Sequence, residues 1–280
     1  MNPTLDLAQY LDRVTLVLSY DCNLDCPYCG LHALPLSSAT LDLEEWDRVI
    51  SDIVRIVGAD VPFFVSGGEP TYHFPELCYI LKTVRKFHAK TALVTNGLLL
   101  DTERLTQIAG LLDALQVTCH LYFLSSGISR RTSILHSVEL LTRFRELREG
   151  PAVLSVNVAA EGDLDSLSLA LETVSRTAQK PTVEVAVVGP SITDTIRERT
   201  RRIVDQYASQ AEVLVLDYTG PPPSPVREIV VSPDGYVLPS EKSYRKLGTR
   251  EVAASSMPNV RHTDLEQALR TTLLKSHTHG

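Results

Sequence analysis

The sequence predicts an α/β fold in which strand–helix units repeat along a parallel sheet, followed by a small hairpin-plus-helix extension. Three observations predict it. Short apolar runs alternate with amphipathic stretches at helical spacing from residue 14 to about residue 217. A Pro-rich segment, Gly220-Pro221-Pro222-Pro223-Ser224-Pro225, then breaks the pattern as a stiff linker. Beyond it, two strand-like runs flank Ser232-Pro233-Asp234-Gly235, a hairpin turn sequence. Strand–helix–strand repeats with crossovers demand parallel strands and right-handed connections. The expected division is a main domain over 1–219 and an extension over 220–280.

The elements follow in order. After a short lead over residues 1–13, an apolar run over 14–20 reads as the first, buried strand. Residues 41–57 read as a helix with Leu43, Trp46, Ile50, Ile53, Val54 and Val57 on one face, and the lone Trp46 as core. Glu44 and Glu45 suit its N-terminal dipole. The second strand, 61–65, runs into Ser66-Gly67-Gly68-Glu69-Pro70. A helix over 75–88, a strand over 91–95 ending in Thr95-Asn96-Gly97, and a short helix over 101–110 come next. The fourth strand, 115–121, puts Gln116, Thr118 and His120 on one face and Val117 and Cys119 on the other, because side chains alternate along a strand. Thr118 and His120 are expected to point inward, with Cys119 turned outward under a helix. Strands over 153–159, 183–188 and 213–216 alternate with helices over 132–147, 163–178 and 193–208. A terminal helix is expected near 263–275.

Composition bounds the function. The 280 residues carry a formal net charge of -7, which argues against a general nucleic-acid binder, since phosphate contacts need clustered Lys and Arg. The arginines at 197, 199, 201 and 202 read as the solvated face of a helix. No apolar stretch is long enough to span a bilayer, and the N-terminus lacks a signal-peptide pattern. Five cysteines, three of them between positions 22 and 29, do not make a disulfide framework and imply a reducing compartment, the cytoplasm.

Those three cysteines organise the rest. Cys22-Asn23-Leu24-Asp25-Cys26-Pro27-Tyr28-Cys29 follows directly on the first strand. Three thiolates on one loop form a soft site suited to iron–sulfur or zinc, not to calcium or magnesium. With His32 they also admit a Cys3His zinc site. The spacing, with an aromatic just before the last cysteine, resembles the cluster loop of the radical S-adenosylmethionine (radical SAM) superfamily. Gly67-Gly68-Glu69 at the end of the second strand resembles that family's second motif, and Thr95-Asn96-Gly97 a third.

The resemblance covers roughly residues 14–217 and implies a partial (β/α)6 TIM-like barrel of parallel strands. It implies that Cys22, Cys26 and Cys29 hold three irons of one 4Fe-4S cluster. SAM would occupy the fourth iron and be cleaved reductively to a 5′-deoxyadenosyl radical that abstracts a hydrogen atom from substrate. It further implies that Tyr28 flanks the adenine, that Gly67, Gly68 and Glu69 take the methionine amine, and that Thr95, Asn96, Thr118 and Asn157 make further SAM contacts. His120 is expected to contact SAM or substrate as a catalytic group. A flavodoxin- or ferredoxin-type donor is the implied reductant. The hairpin after the Pro-rich linker resembles a SPASM or twitch extension, but Pro239 is followed by Ser240 and no cysteine lies beyond Cys119, so a cysteine-held auxiliary cluster is excluded. The short lead makes a small natural product or metabolite the first expected substrate, ahead of a ribosomal peptide. A glycyl-radical activase and a zinc-stabilised binding module are further alternatives.

Overall fold

The computed structural model describes residues 7–26, 29, 40–120, 129–189, 191–217, 227–239 and 257–277. The chain divides into two compact units, one of residues 1–23, 29–92 and 225–280 and the other of residues 24–28 and 93–224. The fold is α/β, and its sheet is parallel except at one edge and is not closed. No helix among the described residues is long and apolar enough to cross a membrane.

In the first unit, β1 (Arg13–Val17) lies between β2 (Phe63–Ser66) and β8 (Glu228–Val231), parallel to both. A strand paired on both sides and covered on both faces reads as an unbroken apolar run. Val14, Leu16 and Val17 are accordingly buried. The crossover from β1 to β2 is α1 (Leu43–Val57), which starts at a capping box. Asp42 accepts from the Glu45 backbone N–H at 2.8 Å, and Glu45 accepts from that of Asp42 at 3.0 Å. Its buried face is Trp46, Val49, Ile50, Ile53 and Val57, with Trp46 in the core as expected. The next helix, α2 (Phe74–Lys86), buries Leu77, Ile80, Leu81 and Val84.

The expected first strand, 14–20, is longer than the observed one. Pairing does not stop at Val17; it becomes irregular. Leu18 N–H donates to Ser66 O at 2.9 Å, Gly68 N–H to Ser19 O at 2.8 Å, and Glu69 N–H to Asp21 O at 2.7 Å. The chain after β1 is thus strung along the chain after β2.

The C-terminal residues join this unit. The hairpin is present, β8 turning back to β9 (Val237–Leu238) in antiparallel register, but β8 also extends the sheet beside β1. All four β8 residues are buried. Glu228 is held by Arg13 at 2.6 Å and by the Thr15 hydroxyl at 3.3 Å. The last helix, α7 (Leu265–His277), packs on α1 and β9.

Arg261 ties the same segment to α1. Its Nε and Nη2 donate to the two carboxylate oxygens of Glu45 at 2.6 and 2.7 Å, a bidentate pair. Bonding to the guanidinium holds Glu45 well below the usual carboxylate range, at about 2. A depressed pKa stabilises the fold above the ordinary carboxylate value and loses that effect as pH falls through the folded value. Arg261→Ala is therefore expected to lower stability at pH 7 by about 1–3 kcal/mol. The gap from wild type should close between about pH 4.5 and pH 2, as read by urea unfolding across that range.

In the second unit, β4 (Ala114–His120), β5 (Ala152–Val158), β6 (Thr182–Val187) and β7 (Val213–Asp217) pair in sequence, all parallel. They are linked by α4 (Arg130–Leu147), α5 (Leu164–Ser175) and α6 (Asp194–Tyr207). Two helix starts are set by hydroxyl caps: Ser129 accepts from Thr132 N–H, and Thr193 from Ile196 N–H. The alternation is clean. Leu115, Val117, Cys119, Leu154, Val156, Val183 and Val185 are fully buried, while Gln116, Thr118, Ser155, Asn157 and Glu184 share the opposite face. The α6 arginines meet acids: Arg197 pairs with Asp194 and Asp217, Arg199 with Glu161, and Arg202 with Glu198. Strand β3 (Thr91–Thr95) and helix α3 (Thr102–Ala109) complete the elements, β3 falling where the two units divide.

Candidate active site

The cysteine loop leaves β1 at its C-terminal end, where chemistry gathers in parallel barrels. Cys22 is exposed, Cys26 buried and Cys29 half-buried. Tyr28 and His32 lie outside the described residues. Among the described residues no three Cys, His, Asp or Glu side chains are gathered as a ready-made metal site. Thiolate sites are commonly completed by the metal itself, because binding and ordering of the ligands are coupled.

The turn after β2 explains itself through its neighbours. A Cβ on Gly67 would stand 2.6 Å from Ser19 O; one on Gly68 would stand 2.2 Å from Asp21 O and 2.6 Å from Tyr20 O. These are backbone atoms of the stretch that enters the cysteine loop, so both glycines are required by chain-on-chain approach. Glu69 is 1% exposed, and its Oε1 accepts from the Thr71 backbone N–H at 2.9 Å and the Thr71 hydroxyl at 2.5 Å. It thereby caps the 3-10 turn Pro70–His73.

Sequence reading missed a second link between these two turns. His73 Nε2 lies 2.7 Å from Asp21 Oδ2, directly before Cys22. No signal in the sequence pairs two residues so far apart. A third link comes from the hairpin: Tyr20 donates its hydroxyl to Asp234 Oδ1 at 2.7 Å, and Asp234 is 1% exposed.

At the end of β3, Thr95 and Asn96 serve their own turn. Thr95 Oγ1 accepts from Gly97 N–H and Asn96 Oδ1 from Leu98 N–H, each at 2.9 Å. On β4, Thr118 stands in register with Ser155, and His120 with Asn157. Thr118 and Asn157 are half-buried on the face away from the helices, as expected; the side chain of His120 lies outside the described set. Cys119 is fully buried, with its Sγ 3.8 Å from Ser133 Oγ of α4. Burial pushes its thiol up to about 11, so it stays protonated at neutral pH. That removes it as a thiolate. Glu184, in register with Ser155, is a second residue that sequence reading missed. Its signal was there: it is the one Asp, Glu, Lys or Arg within β4, β5 and β6.

The donor set fits the cluster that the resemblance implies. Three thiols stand at the right spacing in the sequence, and the glycines of the turn after β2 lie against the backbone of Ser19, Tyr20 and Asp21, the stretch that leads into Cys22.

The family model described as the Radical SAM superfamily matches residues 16–123. A PqqA peptide cyclase of Rhodopseudomonas palustris is 38% identical over 97 residues, 34% of this chain and 25% of the relative. A GTP 3′,8-cyclase of Chlorobaculum tepidum is 32% identical over 95 residues, 33% of this chain and 28% of the relative. The matched stretch thus spans about a quarter of these curated relatives. Among solved structures, Streptococcus suis SuiB bound to S-adenosylmethionine superposes with a TM-score of 0.64 at 17% identity, over 92% of this chain and 65% of that one. Native anSMEcpe with bound AdoMet and Kp18Cys peptide gives 0.67 at 15% identity, over 93% and 80%. At such identities the likeness is one of fold. Residues 16–123, which hold the cysteine and glycine motifs, are thus similar to the radical SAM superfamily, whose cofactors are a 4Fe-4S cluster and S-adenosylmethionine, and the solved structures share the fold.

Proposed function

We propose that the chain is a radical SAM enzyme that modifies a peptide. The observation that carries the chemistry is the seating of Gly67 and Gly68 on the backbone of Ser19, Tyr20 and Asp21, which sets the cysteine loop beside Glu69. When bound, the cluster and SAM supply a radical that abstracts hydrogen from substrate. Cys22, Cys26 and Cys29 hold the iron. Glu69 accepts from the methionine ammonium, and Tyr28 flanks the adenine. Thr95, Asn96, Thr118 and Asn157 make the remaining SAM contacts, and His120 meets SAM or substrate. The electron comes from a flavodoxin- or ferredoxin-type donor in a reducing cytoplasm.

The substrate class rests on the relatives. The sequence alone favours a small molecule, but relatives at 38%, 36% and 34% identity are named as peptide cyclases. The small-molecule reading keeps one support, the relative named for GTP. The two part on product. A mass change on a candidate precursor peptide supports the first; turnover of a small metabolite with no change on any peptide overturns it.

Glu69→Gln is expected to weaken SAM binding by about 10- to 100-fold, the worth of one charge-assisted hydrogen bond, while the iron content holds. Calorimetry with SAM on the reconstituted protein, beside an iron assay, checks it. Unchanged affinity removes Glu69 from the site.

A further inference from the structure

Three elements of the first unit converge on Ser19, Tyr20 and Asp21, the last residues before Cys22. The turn after β2 holds both ends of this stretch: Gly68 N–H donates to Ser19 O and Glu69 N–H to Asp21 O. His73, from the 3-10 turn, meets the Asp21 carboxylate. The third element is the C-terminal hairpin, which holds the middle residue by its side chain. Tyr20 donates its hydroxyl to Asp234 Oδ1, and its ring packs on Val17, Val230 and Leu238, as do Tyr236 and Met257.

The hairpin presents Asp234 on a rigid mount. The Ser232 hydroxyl donates to the same Oδ1 at 2.5 Å, and Ser232 Oγ in turn accepts from Tyr236 N–H at 2.9 Å. Asn259 Nδ2 donates to the Asp234 backbone O at 2.9 Å, and Gly235 turns the chain at a φ of 87°. The side chain is poorly suited to stability alone. Asp234 is 1% exposed, and its Oδ2 is buried with no hydrogen-bond partner among the described residues. Arg261 is near enough for its charge to interact with that of Asp234, but a buried acceptor left unbonded is still costly. A buried acid in this state calls for a role beyond the turn.

We propose that Asp234 is a positioning residue for the SAM site: by accepting from the Tyr20 hydroxyl it fixes the stretch from Ser19 to Asp21, and with it the seat of Glu69 beside Cys22. This rests on the reading of Glu69 above and gives the C-terminal hairpin a part in that site. The route is short. Tyr20 lies between the two residues whose carbonyls hold the Gly68 and Glu69 amides, so a shift at Tyr20 moves both acceptors.

The test reads SAM binding and stability separately on the reconstituted full-length chain. Calorimetry with SAM, an iron assay and a thermal scan are run on wild type, Tyr20→Phe, Asp234→Ala and Asp234→Asn. Tyr20→Phe keeps the packed ring and removes only the hydroxyl. It and Asp234→Ala should hold their iron and bind SAM about 3- to 10-fold more weakly. Asp234→Asn keeps an acceptor oxygen for Tyr20 and should stay within about twofold of wild type. In a Glu69→Gln background, Tyr20→Phe should add less than about twofold, because both act through one contact. A lowered melting temperature with unchanged SAM affinity in Tyr20→Phe makes the contact structural only and overturns the proposal. So does an Asp234→Asn variant as weak as Asp234→Ala, or losses at Tyr20 and Glu69 that multiply. Glu69→Gln alone separates the two levels. Unchanged SAM affinity there overturns the reading of Glu69 and the positioning with it, whereas a loss there with none in Tyr20→Phe overturns the positioning alone.

Discussion

Cys26→Ala is expected to strip the chain of iron. Reconstituted wild type should hold about four iron atoms and a brown visible absorbance; the variant should hold close to none. Cys22, Cys26 and Cys29 are the only cysteines placed on the loop after β1, and a cube held by three thiolates does not survive on two. Cys26 is also the buried member of the three, 8% exposed. The control is Cys78→Ala. Cys78 lies half-buried on α2, where burial raises its thiol, and its loss should leave iron content unchanged. Iron retained in Cys26→Ala, or lost equally in Cys78→Ala, would remove the loop from its assigned role.

Gly68→Ala should be the most damaging conservative change outside the cysteines. A Cβ there would lie 2.2 Å from Asp21 O and 2.6 Å from Tyr20 O, and neither contact atom can rotate away, since both are backbone. The loop must retreat. The Gly68-to-Ser19 and Glu69-to-Asp21 hydrogen bonds would stretch, and the Asp21–His73 contact would move with them. Overpacking of this kind costs about 1–3 kcal/mol, and each weakened hydrogen bond about 0.5–1.5 kcal/mol. A loss of about 3 kcal/mol lowers the melting temperature by about 6–12 °C. SAM affinity should fall at least about tenfold, because the displaced stretch carries Glu69 on one side and Cys22 on the other. Gly110→Ala is the counterpart. Nothing lies within 4 Å of its Cβ position, and its φ of -65° suits alanine. It should be neutral or raise stability by about 0.4–1 kcal/mol. A thermal scan and a SAM titration of the two variants separate tight chain approach from a general intolerance of alanine.

The legible parts of this molecule are those written locally. Helix α1 begins at Leu43, two residues after the start expected at 41, because apolar periodicity and the first-turn acids Glu44 and Glu45 are short-range signals. The parity of β4 turned Cys119 into the core and Thr118 away from it, since alternation needs only one strand to be read. The cysteine spacing pointed to a candidate site because the three thiols lie within eight consecutive residues, Cys22 to Cys29. What escaped was pairing between distant segments. Nothing in Glu-Ile-Val-Val says that β8 will lie beside β1, although the apolar run Ile229-Val230-Val231 suits a strand buried on both faces. The glycines at 67 and 68 were legible as places of close approach, but the atoms approached, Ser19 O and Asp21 O, belong to another element. His73 was passed over for the same reason: its partner Asp21 comes near only through the fold.

The most direct measurement of the central claim is anaerobic reconstitution with iron and sulfide, then dithionite and SAM, followed by chromatography for 5′-deoxyadenosine. The account predicts about four iron atoms per chain and release of 5′-deoxyadenosine, both lost in Cys26→Ala. Stoichiometric zinc, no iron uptake and intact SAM would contradict it, and would make the three cysteines a structural zinc site on a parallel-sheet scaffold.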